Sequence, residues 1–157
     1  MKPDVAIMNL STERPMPRMI FVNLPVKDLA ASIRFYAEIG CEQNHQFSND
    51  QAAMMVWSDT ISFMLLTHDY FATFSPNPIA DASKATGVLI ALSRDSREDV
   101  DSITEAAAAA GGTADVRPPQ DLGFMYSRAF ADPDGHLFEP RWMDVAAVGS
   151  GEVGAQA

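Results

Sequence analysis

Residues 19–40 read MIFVNLPVKDLAASIRFYAEIG, and this stretch decides the fold. Its first eight residues, Met19 to Val26, form a short apolar run rich in β-branched side chains, which predicts a strand. Asp28 follows as a favourable N-cap for a helix, and Gly40 stands where a C-terminal glycine ends one. The helix between them presents apolar side chains at helical spacing: Leu29, Ile33 and Tyr36. The stretch therefore predicts a strand, a tight turn and an amphipathic helix.

The same order of elements returns later in the chain. Gly87 to Ser93 is a second apolar run, and Ser96 precedes a helical stripe in the way that Asp28 does. Pairing Phe21 with Leu89 sets the offset between the two copies at 68 residues. Under that offset the apolar positions of the two strands coincide, and so do the two capping residues. A repeat of this size predicts two copies of one unit, each too small to bury its sheet alone.

Each copy continues with further strands. Gln51 to Trp57 and Ile61 to Thr67 surround a short polar turn, whereas Phe124 to Phe130 and His136 to Trp142 surround Asp132-Pro133-Asp134-Gly135. Both patterns predict β-hairpins, and Asp-Gly at a bend is strong hairpin chemistry. We predict these boundaries: an N-terminal arm over 1–17, a single domain over 18–144 made of modules 18–68 and 86–144 with a linker over 69–85, and a flexible C-terminal tail over 145–157.

The composition excludes several classes of protein. The chain has 157 residues and a formal net charge of −10, with a pI near 4.5. A chain with this negative charge repels nucleic-acid backbones and anionic membrane surfaces. We therefore expect neither a nucleic acid nor a membrane as a partner. We find no apolar run long enough to span a bilayer and no secretory signal. The single cysteine, Cys41, cannot form an internal disulfide, which favours a cytoplasmic location and a packed, unreactive thiol.

Two motifs connect this pattern to a known family. Residues 22–29, VNLPVKDL, resemble the opening module of the vicinal oxygen chelate superfamily, which includes glyoxalase I, bleomycin-resistance proteins and extradiol dioxygenases. Residues 130–139, FADPDGHLFE, resemble its closing hairpin. The resemblance covers nearly all of 18–144, and the chain looks most like bacterial proteins labelled predicted lactoylglutathione lyases. It implies an α+β fold of paired βαβββ modules that form an open cup, and a homodimer.

In the metal-dependent members of that superfamily, four His or Glu side chains in the cup hold a divalent ion. Carried onto this chain, the resemblance places those positions at Phe21, Leu65, Leu89 and Glu139. Phenylalanine and leucine have no lone pairs to donate, and one carboxylate cannot hold a metal ion alone. A register slip of two residues brings no His, Glu, Asp or Cys to the three apolar positions. We therefore expect no divalent metal and no other cofactor.

Glu139 is the candidate catalytic residue. Strand alternation puts Leu137, Glu139 and Arg141 on one face, so the carboxylate would stand among apolar side chains of the cup. There it suits a general base or an anchor for a ligand amine or hydroxyl, and the alternative is a structural carboxylate held by an arginine or by the backbone. The candidate ligand-binding residues around it are Phe21, Asn23, Trp57, Phe63, Leu65, Leu89, Phe124, Tyr126, Arg128 and Trp142.

Two functions remain open from the sequence. The first is a metal-free protein that binds a small apolar or planar ligand, with a cation favoured by the acidic chain. The second is a lyase of the lactoylglutathione type, or another enzyme of the superfamily, that uses Glu139 as general base. The lyase reaction passes through an enediolate whose charge a metal ion stabilises, and the apolar positions do not supply that electrophile. Metal-free catalysis would need a substrate with its own electron sink.

Overall fold

A computed structural model describes residues 15–149. No helix within this range is long and apolar enough to cross a membrane. Most of the predicted N-terminal arm, residues 1–14, lies outside the described residues, as do residues 150–157 of the predicted tail. The first part of that tail, Val145–Gly149, forms a short helix instead of the flexible segment that its small residues suggested.

The first module folds as one helix and a four-stranded sheet. Its elements are β1 (Ile20–Val26), α1 (Leu29–Glu38), β2 (Glu42–Asn44), a 3-10 turn (His45–Phe47), β3 (Ala52–Val56) and β4 (Ile61–Thr67). The strand order is β1-β4-β3-β2, with β1 parallel to β4 and the other neighbours antiparallel. The strand, turn and helix predicted over 19–40 are confirmed.

The second module repeats this arrangement with interrupted strands. After α2 (His68–Ala72) and a long connection, its elements are β5 (Leu89–Ser93), α3 (Arg97–Ala109), β6 (Thr113–Ala114), β7 (Gln120–Asp121), β8 (Met125–Ser127), β9 (Phe130–Ala131) and β10 (Leu137–Met143). β5 is parallel to β10. β8 and β9 each pair with β10, β7 pairs with β8, and β6 pairs with β9. The two sheets therefore share one strand order.

The two helices begin at equivalent residues. Asp28 Oδ1 accepts a hydrogen bond from Ala31 N at 3.0 Å, and Ser96 Oγ accepts one from Asp99 N at 3.0 Å. Each side chain thus occupies an amide group that a helix start leaves without a partner. Because α1 begins at residue 29 and α3 at residue 97, the offset of 68 residues holds in the folded chain and the repeat is confirmed.

The hydrophobic core lies where the two modules meet. It contains Phe63 of β4 and Phe138 of β10, whose ring centroids are 5.6 Å apart, and Tyr36 of α1 packs on both rings. Since the core-facing sides of both sheets meet in this cluster, their opposite sides lie on the concave side of a curled half-barrel. We call these opposite sides the cup faces. The α+β fold of paired modules around an open cup is therefore confirmed.

The turn at residues 132–135 fixes the second module to the first. Asp132 Oδ2 accepts a hydrogen bond from the Tyr36 hydroxyl at 2.8 Å, and Asp134 Oδ1 accepts one from the Lys27 amide at 2.9 Å. Both aspartates are buried, and burial raises the pKa of Asp132 and of Tyr36 above their ordinary values. Turn chemistry alone explained these aspartates in the sequence, and the fold gives them a second role at the module interface.

The connection between the modules packs directly on this turn. Gly135 has φ +95°, in the left-handed region that glycine tolerates. A Cβ at this position would also lie 2.7 Å from Ser83 N, so the backbone of the connection approaches too closely for a larger residue. The neighbouring His136 ring has its Nε2 2.9 Å from Pro25 O. The turn and the start of β10 therefore contact both the connection, at Ser83, and the end of β1, at Pro25.

Candidate functional site

Glu139 lies in the middle of β10 on the cup face. Its strand neighbours Phe138 and Pro140 are buried, whereas Leu137, Glu139 and Arg141 are partly exposed. The Glu139 side chain keeps 14% of its surface exposed. The predicted alternation along this strand is therefore confirmed, and it sets a carboxylate on the concave side of the sheet.

An arginine that the sequence analysis missed holds Glu139. Arg117, between β6 and β7, donates to Glu139 Oε2 from Nη2 at 2.6 Å and from Nε at 3.2 Å. The same Nη2 donates to Ser127 Oγ at 3.1 Å. Charge-assisted hydrogen bonds of this kind are short and strong, so they fix the carboxylate in place. Both end on Oε2, which leaves Oε1 without a bond from the described residues.

Arg141 is a second cation on the same face. It lies across from Ser127 of β8 and Ser93 of β5 in the two flanking ladders, and Ser127 bonds the arginine that holds Glu139. Arg141 Nε is buried and has no hydrogen-bond acceptor, and no carboxylate between residues 15 and 149 forms an ion pair with Arg141. The cup face of β10 therefore holds a guanidinium whose charge these residues leave unpaired.

A cavity of about 370 Å³ opens at the start of β10. Pro25 and Leu137 line it from the sheets, and Phe71, Ile79 and Ala85 line it from the segment that joins the modules. Its lining is mainly apolar, and its volume falls in the range of small-molecule sites, roughly 300–1,000 Å³. Leu137 shares the cup face with Glu139, which lies two residues further along β10, about 7 Å away at the usual rise per residue. Leu24 and Ile90, which pack with the core, also line the cavity, so it opens between the two sheets and reaches the cup face at Leu137.

Phe21, Asn23 and Leu89, predicted to contact a ligand, lie on the cup faces. Leu89 pairs with Leu137 in the ladder between β5 and β10, so it shares the face of Glu139. Phe21 and Leu89 are 48% and 57% exposed, which leaves their side chains free for contact. Asn23 Nδ2 donates to Phe21 O at 3.3 Å. Their ligand-binding roles stay predictions.

Phe63 and Leu65 lie on the core side instead. Both side chains have no exposed surface and belong to the core. In the ladder between β1 and β4, Phe21 pairs with Ser62, so Ser62 and Met64 share the cup face with Phe21 and Leu65 does not. The prediction for Leu65 was therefore wrong by one residue, and a slip of one turns a strand to its other face.

Tyr126 and Trp142 also face away from the cup, toward α3. They pair across β8 and β10, and the Arg97 guanidinium of α3 lies over both rings, 5.2 Å and 5.1 Å from their centroids. Asp121 holds the same guanidinium in a two-pronged ion pair, at 2.8 Å and 3.0 Å. The prediction that these two aromatics line the cup was wrong, because partners on α3 draw them to the outer side.

Arg128, another predicted cup residue, is engaged on that outer side as well. It forms ion pairs with Asp101, Glu105 and Asp115 at 3.1, 2.8 and 2.8 Å. Its hydrogen bonds hold the pKa of Asp115 below its ordinary value. The Tyr126 hydroxyl donates to Asp101 Oδ1 at 2.8 Å and joins the network. The prediction of Arg128 as a ligand contact in the cup was therefore wrong.

The last two predicted aromatics lie at strand ends. Trp57 packs against the core, and the Arg94 guanidinium lies 5.7 Å from its ring centroid. Trp57 therefore belongs to the core side, and its predicted place in the cup was wrong. Phe124 precedes β8, is partly buried, and its carbonyl accepts a hydrogen bond from Asp144 N at 2.7 Å. Strand pairing does not extend to Phe124, and its contact with a ligand stays a prediction.

The cup residues do not fit a divalent metal ion. The resemblance implies positions Phe21, Leu65, Leu89 and Glu139; Leu65 faces the core, and its neighbours on the cup face, Met64 and Leu66, carry no oxygen or nitrogen donor in their side chains. Only Glu139 offers an oxygen, and its Oε2 is bonded to Arg117. In the part of the chain that the structure describes, no group of three or more His, Cys, Asp or Glu side chains could hold a metal ion. A Zn, Ni, Fe or Mn site requires three or more such donors, mainly oxygen and imidazole groups.

Comparison with known proteins agrees with the fold. The sequence model of the Glyoxalase/Bleomycin resistance protein/Dioxygenase superfamily matches residues 18–139. No curated protein matches the chain. Among solved structures, a hypothetical protein from S. aureus is 26% identical, with a TM-score of 0.68 over 82% of this chain and 95% of that one.

Two further structures share the fold. A glyoxalase/bleomycin resistance protein/dioxygenase family enzyme from Burkholderia phytofirmans PsJN is 19% identical, with a TM-score of 0.66 over 81% of this chain and 99% of that one. The fosfomycin resistance protein FosX from Listeria monocytogenes is 24% identical, with a TM-score of 0.58 over 82% of this chain and 92% of that one. At these identities the likeness is one of fold alone.

Proposed function

This chain belongs to the glyoxalase/bleomycin resistance protein/dioxygenase superfamily, and from that premise we propose that its cup binds a small apolar or planar organic ligand without a metal ion. The observation that carries the proposal is the mainly apolar cavity of about 370 Å³ at the start of β10. A site of this kind takes an apolar molecular body and orients it with a few polar groups. Leu137 connects the cavity to the cup face, and Glu139 with its partner Arg117 lies further along that face of β10.

The metal-free part of the proposal rests on donor chemistry. Phe21, Leu65 and Leu89 occupy three of the four positions at which the superfamily's metal ligands are expected, and Met64 is a cup-face neighbour of Leu65. No oxygen or nitrogen donor replaces them there, and a thioether suits only soft ions such as Cu(I). Metal analysis of protein purified in the presence of zinc or nickel tests this point. We expect less than one tenth of an equivalent of either metal, and a full equivalent would contradict the proposal.

Fluorescence titration with N-phenylnaphthylamine tests the apolar site directly. This uncharged, planar dye brightens in apolar surroundings, and we expect saturable binding with one site per chain. Ala85→Trp places a large ring at the cavity lining and should weaken dye binding about tenfold or more, because it fills the space that the dye needs. Ala30→Trp, at an exposed position of α1, is the matched control and should bind like the wild type. Absence of saturable binding, or equal affinities in both variants, would refute the site.

A second candidate function is metal-free lyase chemistry of the glyoxalase type. Glu139 Oε1 has no partner among the described residues, and in this proposal it removes a proton from the bound substrate. Arg141, two residues along the same face, could stabilise the oxyanion that then develops. The assay is turnover of the hemithioacetal of methylglyoxal and glutathione in the presence of a chelator. Glu139→Gln should abolish that turnover, and unchanged turnover in this variant would eliminate the general-base role.

We further propose that the protein is a homodimer. In the described residues β1 and β5 each have a hydrogen-bonded neighbour on one side only. Large apolar side chains are exposed on or beside them, including Ile20 at 58% and Val88 at 68%, and exposed apolar surface of this kind favours association. Light scattering should give twice the chain mass of 17.0 kDa. A mass of one chain at micromolar concentration would contradict the proposal.

A further inference from the structure

Charge on the cup face of the second sheet has the opposite sign to that of the whole chain. The formal net charge of the protein is −10. On this face, strands β5 to β10 carry two charged residues, Glu139 and Arg141. Arg117 reaches the same face from its loop and pairs with Glu139. Two guanidinium groups thus stand against one carboxylate, and the site carries a local excess of positive charge.

Arg141 differs from the other partly buried arginines of the chain. Arg97, Arg117 and Arg128 each form an ion pair. Arg94 Nε is also buried without an acceptor, but the Arg94 guanidinium lies over an aromatic ring. Arg141 has neither kind of partner between residues 15 and 149, and its buried Nε has no acceptor. An unmet buried donor lowers the stability of the folded state, and lowers it more when the donor is charged. A bound oxyanion would remove this cost.

A second unpartnered polar atom lies on the cup face of the other sheet. Ser62 is 1% exposed, and its hydroxyl oxygen has no hydrogen-bond partner in the described residues. The ladder between β1 and β4 pairs Ser62 with Phe21. The described residues leave three buried side-chain polar atoms without partners, so two of them are at cup-face positions. A buried polar atom without a partner in the protein is usually met by water, an ion or a ligand.

We propose that the ligand of this cup is an anion, whose oxyanion group, a carboxylate, sulfonate, phosphate or phosphonate, is bound by Arg141. The inference rests on the proposed function, since it concerns the same cup. Leu137, Glu139 and Arg141 follow one another on β10 at intervals of about 7 Å. A small ligand whose anionic group binds Arg141 therefore has its apolar body on the cup face beside Arg141, in the direction of Leu137. Guanidinium groups are well suited to planar or tetrahedral oxyanions.

The same geometry disfavours a cationic ligand. The sequence favoured a cation because the whole chain is acidic, but strands β5 to β10 carry only one carboxylate, Glu139, on the cup face. In the cup, Arg117 neutralises Glu139 at 2.6 Å, so no unpaired carboxylate on β10 remains for an ammonium group. Arg141 would repel a cation placed beside it. Local charge within a few ångströms decides ligand sign, because solvent and salt screen more distant charges.

Two dyes of nearly the same shape test the inference. Anilinonaphthalene sulfonate carries the anionic group, and N-phenylnaphthylamine is its uncharged counterpart. We expect the wild type to bind the sulfonate more tightly than the neutral dye. Arg141→Met removes the charge and keeps an apolar stem, and should weaken sulfonate binding about tenfold or more while neutral-dye affinity changes less than about twofold. Arg34→Met, at an exposed position of α1, is the matched control and should change neither affinity.

The outcomes separate this inference from the proposed function. If the neutral dye does not bind the wild type, the proposed apolar site fails. If the neutral dye binds and Arg141→Met leaves sulfonate affinity unchanged, the site stands and the anion inference is overturned. Should Arg141→Met fail to fold, Arg141→Lys and added salt give the same decision. Both should weaken sulfonate binding and spare the neutral dye, and equal effects on the two dyes would overturn the inference.

Discussion

Replacing Asp132 by alanine tests whether the turn at residues 132–135 holds the two modules together. The substitution removes the acceptor of three hydrogen bonds, from Tyr36 Oη at 2.8 Å, Asp134 N at 2.9 Å and His136 N at 2.9 Å. Asp132 is 3% exposed and Tyr36 has no exposed surface, so water cannot replace the lost acceptor without opening the interface. The donors are therefore left buried and unpaired.

The expected loss follows from the number of orphaned donors. Each buried donor without a partner costs about 1–3 kcal/mol. The cost for the Tyr36 hydroxyl should be near the upper end of this range because the hydroxyl lies in the core. The cost for each of the two turn amides should be lower because the turn can relax toward solvent. We expect Asp132→Ala to lower the free energy of unfolding by roughly 3–5 kcal/mol. For a domain of this size that corresponds to a fall in Tm of roughly 10 °C.

Urea unfolding monitored by tryptophan fluorescence and far-UV circular dichroism measures this loss. Tyr36→Phe is the matched control, since it removes one of the three hydrogen bonds and should cost about 1 kcal/mol. The two changes share a bond, so the double variant should lose less than the sum of the single losses. A loss under about 1 kcal/mol for Asp132→Ala, or strict additivity in the double variant, would refute the role assigned to this turn.

The pH dependence of stability gives an independent check on Asp132. Burial raises its pKa above the ordinary 3.8, against the opposing effects of His136 and the Tyr36 hydrogen bond. A group with a raised pKa in the folded state contributes stability that is fully present below the unfolded pKa and is lost as pH rises through the folded pKa. Asp132→Asn keeps the shape and does not titrate. The stability of the wild type relative to this variant should therefore fall as pH rises from below 3.8, and a rise would contradict the assignment.

Three further predictions concern Gly135 in the same turn, Arg128 and Cys41. Gly135→Ala should lower the free energy of unfolding by about 1–3 kcal/mol, measured by urea unfolding, because φ is +95° and the new Cβ would lie 2.7 Å from Ser83 N; a change within error would contradict this. Arg128→Met should destabilise the protein at pH 7 and progressively less below pH 3.8. Arg128 lowers the pKa of Asp115, and the stability that this ion pair contributes is lost as pH falls through the pKa of Asp115 in the folded protein. Thermal unfolding of both proteins across pH measures this difference. Cys41 should resist a thiol-reactive dye at pH 8 until the protein unfolds, since burial raises the pKa of this thiol to about 12, and rapid labelling of folded protein would contradict it.

The repeat could be predicted because its signals are local. Asp28 and Ser96 each bond an amide three residues ahead, so the capping pattern depends on a few neighbouring residues. The alternation along β10 could also be predicted from the sequence, since polar Glu139 and Arg141 alternate with buried Phe138 and Pro140. Where one face of a strand is polar and the other apolar, the sequence decides which way each side chain points.

The errors have the opposite cause. On β4 both faces are apolar, with Phe63 and Leu65 on one side and Met64 on the other, so alternation gives no sign of which side is the core. Tyr126 and Arg128 face α3 because both donate hydrogen bonds to Asp101, a carboxylate 25 and 27 residues away in sequence. A strand pattern contains no information on such distant partners.

Arg117 was missed for a related reason. It precedes Pro118 and lies between two strands of two residues each, so its surroundings in the sequence indicate only a loop. Its partner Glu139 is 22 residues away and becomes adjacent only after β8 pairs with β10. An unpaired carboxylate predicted in an apolar cup was the one available signal that a cation had to come from elsewhere.

The turn at residues 132–135 makes the two halves of this chain unequal. Its counterpart in the first module is the connection between β3 and β4, where Ser58 and Asp59 are exposed. The first half supplies the Tyr36 hydroxyl and the Lys27 amide, and the second half supplies the acceptors. A chimera built from two copies of the first half would have donors on both sides of its interface and no carboxylate to receive them. Sequence divergence between the halves has therefore made each the obligatory complement of the other.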